Sequence, residues 1–189
     1  MMYDNAVTYV HKILRDVIRP GSVVVDATMG NGWDTALMAV LAGDDGVVYG
    51  FDIQPVAIEV TKTRIAGTSA DVRLVLAGHE EMRAHIDPDH HGRIRAITFN
   101  LGYLPGGDKD ITTHAETTRV ALEQARALLA PDGVITVVCY RHAEGERELS
   151  VVRDLLATWL QHEVTCTETR FINQAGNPPV VFVVVRRNH

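Results

Sequence analysis

Apolar positions along this chain recur at two different spacings. Val7, Val10, Ile13, Leu14 and Val17 fall three or four residues apart, the period of a helix with one apolar face, and Pro20-Gly21 ends that pattern. Residues 22–26 are instead a short, continuous β-branched run, the mark of a strand buried on both faces. The alternation then repeats. Helical patterns are predicted over 32–41, closed by Gly43, over 55–65 with Pro55 in the first turn, over 113–129 and over 144–160. Strands are predicted over 47–51, 72–76, 94–100 and 134–140, with a short helix over 79–85 and a polar loop over 87–92. Two further strands, 164–172 and 180–186, have only a turn with Asn177-Pro178-Pro179 between them. Strands alternating with helices imply a parallel sheet covered on both faces. The last pair adds an antiparallel hairpin at one edge. The expected fold is α/β: a doubly wound, Rossmann-like, seven-stranded sheet with a terminal antiparallel hairpin.

Composition narrows the class. With 46% hydrophobic and 22% charged residues in 189, the chain has the balance of one folded domain, expected to span residues 1–189. Residues 1–19 lack the apolar core of a signal peptide, and the longest apolar run, 180–185, is far too short to cross a bilayer. Cys139 and Cys166 make no disulfide framework, so buried free thiols and a cytoplasmic location are expected. Basic residues number 18 against 24 acidic, a net charge of −6, which argues against general coating of nucleic acid. Asp89-His90-His91 is the one histidine cluster. It lacks a second ligand pair at fixed spacing, so no metal is expected.

Candidate chemistry sits where strands end. The first strand runs into Asp26-Ala27-Thr28-Met29-Gly30-Asn31-Gly32-Trp33-Asp34-Thr35. Glycines at such a turn let a ligand approach the backbone. A dinucleotide fingerprint wants glycine at 35, where this chain has Thr35. Asp26 before the loop suits a ligand with a cationic end and an adenosine, such as S-adenosylmethionine; Thr28, Gly30, Asn31 and Gly32 would cradle it. Asp52, 20 positions after Gly32, is placed to accept from ribose hydroxyls, with a helix cap as its alternative role. Ile53 would pack on one face of the adenine, with Gln54 also in the cofactor site. Gly78, His79 and Glu80 after the third strand would meet the adenine edge, a solvated helix start being the alternative for His79 and Glu80.

The fourth strand ends in Asn100-Leu101-Gly102-Tyr103-Leu104-Pro105-Gly106-Gly107-Asp108-Lys109. Asn, a small residue and an aromatic are what methylation of an amine asks for: a group to hold the nitrogen and a ring to stack on a base. Asn100 would orient the amine and Tyr103 would line or stack the base. Asp34, Asp108 and His142 are the candidate proton acceptors. Gly106, Asp108, Lys109 and Arg141 are the candidate substrate contacts, with Lys109, Arg141, Arg147 and Arg186-Arg187 available to phosphates.

Together the Asp26–Gly32 loop, Asp52-Ile53-Gln54 and the run from Asn100 to Lys109 resemble the bacterial tRNA 5-(aminomethyl)-2-thiouridine methyltransferase family, formerly labelled rRNA methylases. The resemblance covers essentially the whole chain, including Tyr140-Arg141-His142-Ala143-Glu144-Gly145, where Ala143 replaces an expected proline. It implies a class I methyltransferase fold, S-adenosylmethionine as methyl donor, and methylation of the aminomethyl group on wobble uridine 34. It also implies the tRNA anticodon stem-loop as partner and a homodimer. The alternatives are an rRNA or small-amine methyltransferase, a non-catalytic nucleotide-binding module, and a nicotinamide-dependent oxidoreductase.

Overall fold

The computed structural model describes residues 5–108, 110–141 and 143–188. Helix α1 (Ala6–Val17) opens on a capping box. Asn5 Oδ1 accepts from the Thr8 amide at 2.9 Å, and the Thr8 hydroxyl accepts from the Asn5 amide at 3.1 Å. Then come β1 (Val23–Asp26), α2 (Trp33–Ala42), β2 (Val47–Asp52), α3 (Pro55–Arg64) and β3 (Asp71–Leu76). A 3₁₀ turn at His79–Glu81 leads into the single-turn α4 (Met82–His85). The chain continues as β4 (Ile94–Leu101), α5 (Ala115–Leu128), β5 (Leu129–Cys139), α6 (Ala143–Thr158), β6 (Val164–Thr169) and β7 (Val180–Arg186).

The seven strands form one sheet in the order β3-β2-β1-β4-β5-β7-β6. The first five run parallel, and β7 is antiparallel to both of its neighbours. This is the expected doubly wound sheet with its antiparallel hairpin. Neighbouring residues of one strand feed opposite layers, as the pleat requires. Val24, Val48, Ala96 and Val134 pack with Val10 and Leu14 of α1 and Met38 of α2. Val25, Tyr49, Ile97 and Ile135 pack with Leu122 and Leu128 of α5 and Val152 of α6. Both faces of the sheet are therefore buried, which is why the strands read as continuous apolar runs.

The start of β5, the start of α5 and the end of β6 differ from expectation. β5 starts at Leu129, ahead of Pro131-Asp132-Gly133: Ile94 pairs with Leu129 and Ala96 with Val134, so the predicted turn is a bulge inside the strand. Helix α5 starts at Ala115 because the Thr113 amide donates to the Gly102 carbonyl and belongs to the loop after β4. Strand β6 ends at Thr169, and its partner β7 begins at Val180, leaving a long turn between them. The predicted polar loop at 87–92 is anchored: the Tyr49 hydroxyl meets His90 Nδ1 at 2.9 Å and accepts from the Asp87 amide and Arg73. Cys139 is buried and Cys166 half-buried, both free. Among the described residues no helix is long and apolar enough to cross a membrane, and no group of His, Cys, Asp or Glu is gathered for a metal.

Candidate active site

In an open parallel sheet ligands bind beyond the carboxyl ends of the strands, where the strand order reverses. Here that point lies between β1 and β4, and a cavity of about 890 Å³ opens there. The loops after β1, β2, β3, β4 and β5 line it, together with α1 and the β6–β7 turn.

The first loop is built around a buried carboxylate. Asp26 has no exposed surface; its oxygens accept from the Thr28 amide at 3.3 Å and the Thr35 hydroxyl at 2.7 Å. Burial first, then the nearby Asp34 carboxylate, push the Asp26 carboxyl up to about 7. Asp26 does not line the cavity. It braces the loop, tied to α2 through Thr35, the residue that breaks the dinucleotide fingerprint. Gly32 is also turned away from the cavity. It caps α2 at φ +76, and a Cβ there would stand 2.6 Å from Thr61 Oγ1. Thr28, Gly30 and Asn31 do line the cavity.

Asp52 ends β2 at the cavity wall. Its oxygens accept from the Gly30 amide at 3.0 Å and the Gln54 amide at 2.9 Å. The N-cap of α3 is Gln54, so capping that helix is not Asp52's role. Burial raises its carboxyl above the ordinary value, against the backbone N–H groups that favour the ionised form. Ile53 and Gln54 line the same wall, and Ile53 is exposed. Gly78, His79 and Glu80 line it from β3. His79 is buried with its ring edge-on to Phe99, and its Nε2 has no partner among the described residues. Burial lowers its pKa to about 4, so the ring is neutral at pH 7.

The β4 loop forms the facing wall. The Asn100 amide donates to Thr28 Oγ1 at 2.6 Å, which locks β4 to the first loop. Asn100 Nδ2 donates to Asp34 Oδ2 at 2.8 Å, and His11 Nε2 donates to Asp34 Oδ1 at 2.6 Å. A carboxylate can only accept, so this contact fixes which end of the Asn100 amide is nitrogen. Its side-chain carbonyl is left as the acceptor. Tyr103 bridges to Thr112, and the Thr113 amide donates to the Gly102 carbonyl, so the two ends of the loop after β4 run side by side as a narrow flap. The flap is pinned to the first loop where Asn31 Nδ2 donates to the Pro105 carbonyl at 3.2 Å.

The structure thus brings Asp34, Asn100, Tyr103 and Arg141 together around one cavity. Gly106 and Asp108 do not line it: both are exposed at the flap tip, where Asp108 accepts from the Asp110 amide. Lys109 and His142 lie outside the described residues. The arginines proposed for phosphates are largely committed. Arg141 pairs with Glu146 at 2.7 Å, Arg147 pairs with Glu116, and Arg186 donates to the Leu129 carbonyl. Sequence reasoning missed His11, Val7, Trp33, Tyr140 and the Gly176-Asn177 corner, all of which line the cavity. Val7 and His11 are one helical turn apart, so they share a face; nothing in the sequence says which strand ends that face would meet.

A sheet of this order, with acidic and amide side chains at the ends of β2 and β4 around one cleft, defines a class I methyltransferase. The chain belongs to the family described as "Putative rRNA methylase", whose model matches residues 48–185. A crystal structure of that description from Clostridium thermocellum is 39% identical over 98% of this chain and all of its own, with a TM-score of 0.92. A Streptococcus mutans methyltransferase solved in complex with SAH is 28% identical over 98% of this chain and 99% of its own, with a TM-score of 0.87. The chain is also 37% identical to the tRNA (mnm(5)s(2)U34)-methyltransferase, chloroplastic, of Arabidopsis thaliana, over 97% of this chain and 70% of that protein.

Proposed function

We propose that this protein is a single methyltransferase domain over residues 1–189 that converts 5-aminomethyl-2-thiouridine to 5-methylaminomethyl-2-thiouridine at tRNA position 34. The observation that carries the reading is the Asn100–Asp34 hydrogen bond at the cavity wall, which leaves the Asn100 carbonyl to accept from an amine. The Arabidopsis relative's name supports this acceptor.

The residues present fit S-adenosylmethionine. The cavity is within the usual size range of ligand sites. Asp52 has acceptor capacity beyond its two backbone contacts, suited to ribose hydroxyls. Exposed Ile53 offers an apolar face to a purine, and the orphaned Nε2 of buried His79 needs a hydrogen-bond partner that an adenine edge can supply. When bound, this cofactor supplies an electrophilic methyl group on sulfur.

The acceptor amine is an ammonium in water and must shed a proton before it can attack. Desolvation in the cavity disfavours the charged form, while a carboxylate beside the amine attracts the ammonium and can take its proton. Of the three candidate proton acceptors, Asp34 lines the cavity, Asp108 does not, and His142 lies outside the described residues. Asn100 orients the nitrogen, Asp34 receives the proton, and Tyr103 borders the base. Positioning of this kind accounts for most of the acceleration in-line transfer needs.

Nucleoside mass spectrometry of tRNA from cells lacking the protein tests the acceptor. Loss of the methylaminomethyl nucleoside with accumulation of its aminomethyl precursor is expected; an unchanged tRNA profile with a methyl group missing from rRNA would replace this reading with the rRNA one. In vitro, Asn100→Ala is expected to lower kcat by about 100-fold or more while S-adenosylhomocysteine still raises Tm as in the wild type. Wild-type turnover by this variant would remove Asn100 from the site.

A further inference from the structure

We infer that His11, on the first helix and outside every motif that marks the site, is a positioning residue that sets the acceptor-facing orientation of Asn100. The inference rests on the proposed function. Its physical basis is the relay His11 Nε2 to Asp34 Oδ1 at 2.6 Å and Asn100 Nδ2 to Asp34 Oδ2 at 2.8 Å. Each oxygen of Asp34 has its own donor, so the carboxylate is held from both sides. All three side chains line the cavity.

The contact is not a by-product of core packing. The stripe Ala6, Val10 and Leu14 of α1 is the buried one, whereas the side chains of His11 and Asp34 keep 23% and 12% of their surface exposed. Val7 and His11 sit on the cavity-facing side of that stripe. The Asn100 backbone is held separately, by Thr28, so the Asp34 contact bears on the side chain alone. Asp34 also stands in a crowd of acids. It raises the pKa of buried Asp26 and, after burial, that of Tyr140. A donor from His11 offsets that repulsion and keeps Asp34 turned toward Asn100. Without it, Asp34 is free to rotate, the Asn100 amide loses the partner that fixes its polarity, and the carbonyl no longer faces the acceptor.

The test is a double-mutant cycle on tRNA methylation. His11→Phe removes the donor at similar size, and His11→Gln restores one. Expected for His11→Phe is a kcat lowered about 10- to 100-fold, with KM for S-adenosylmethionine and the Tm rise given by S-adenosylhomocysteine near the wild-type values. His11→Gln is expected to recover much of the loss. His11→Phe added to Asn100→Ala is expected to cost less than the two single losses combined, the remainder being the looser hold on Asp34 itself. Wild-type kcat in His11→Phe, no recovery in His11→Gln, or fully additive losses would overturn the inference. If His11→Phe does not fold, His11→Ala takes its place in the cycle. If the wild-type protein leaves aminomethyl tRNA unmethylated, the proposed function falls, and crystal structures judge the relay. Loss of the Asn100–Asp34 hydrogen bond in the His11 variant supports it, and retention refutes it.

Discussion

At the scale of single residues, two buried groups near the cleft have their protonation set by what surrounds them. Asp26 and His79 are both buried, yet their shifts act on stability in opposite senses. Asp26 titrates near 3.8 when unfolded and about 7 when folded, so the folded state binds more protons between those values, and stability falls as pH rises from about 4 to 7. His79 titrates near 6.5 unfolded and about 4 folded, so the unfolded state binds more protons there, and stability rises with pH over about 4 to 6.5. The two contributions oppose each other across a shared window. Asp26→Asn is expected to leave the His79 effect exposed and to make stability climb more steeply between pH 4 and 6.5 than in the wild type. His79→Phe is expected to do the reverse. Urea unfolding at a series of pH values checks both; parallel pH curves for Asp26→Asn and wild type would show that Asp26 does not titrate in this window.

At the scale of elements, a few atomic contacts set where the loops stand. Gly32 closes the first loop in a left-handed conformation with Thr61 of α3 directly against it. Gly32→Ala combines an unfavourable φ with steric overlap and is expected to cost about 2–5 kcal/mol. Adding Thr61→Ala should restore part of that, because the overlap with Oγ1 and Cγ2 goes while the φ remains. Calorimetry measures both variants; a Gly32→Ala protein as stable as wild type would mean that α3 yields readily. A similar brace holds the far end of the flap. Buried Glu148 of α6 accepts from the hydroxyls of Thr113 and Thr118 at 2.7 Å each, joining α5, α6 and the flap. These ties also mark the limit of what the sequence discloses. Element types and order followed from apolar spacing and from Pro and Gly, since both sheet faces are buried and leave continuous runs. Asp52, His79 and Asn100 were legible because they lie at or just beyond the carboxyl ends of parallel strands, where the cleft of such a sheet forms. The burial of Asp26 was not legible, because spacing places a carboxylate at a strand end without saying whether Thr35 will claim it. His11 and Asn177 were invisible because they reach the cleft through packing between elements far apart in the chain.

At the scale of the whole molecule, a net charge of −6 bears directly on how the proposed RNA substrate would be held. Around the cleft, Arg141 and Arg147 are paired with glutamates, and Arg64 lies 3.2 Å from the centre of the Trp33 ring. Trp33 is 65% exposed at the cavity rim, an aromatic surface backed by a cation. RNA should therefore be held by few phosphate contacts, and affinity for tRNA should fall with salt at a slope of about −3 or shallower in log K against log [salt]. Fluorescence titration from 50 to 300 mM salt reads the slope; a value of about −6 or steeper would point to a broad electrostatic surface in place of a base pocket. One last feature bears on refolding. Strand β7 lies between β5 and β6 and is antiparallel to both, so the two are joined only through it. Without the β6–β7 hairpin, the parallel strands would end in the long β5 as a bare edge. A bare edge of that kind can capture another molecule's strand, so recovery on refolding should depend more on protein concentration than on the stability finally reached.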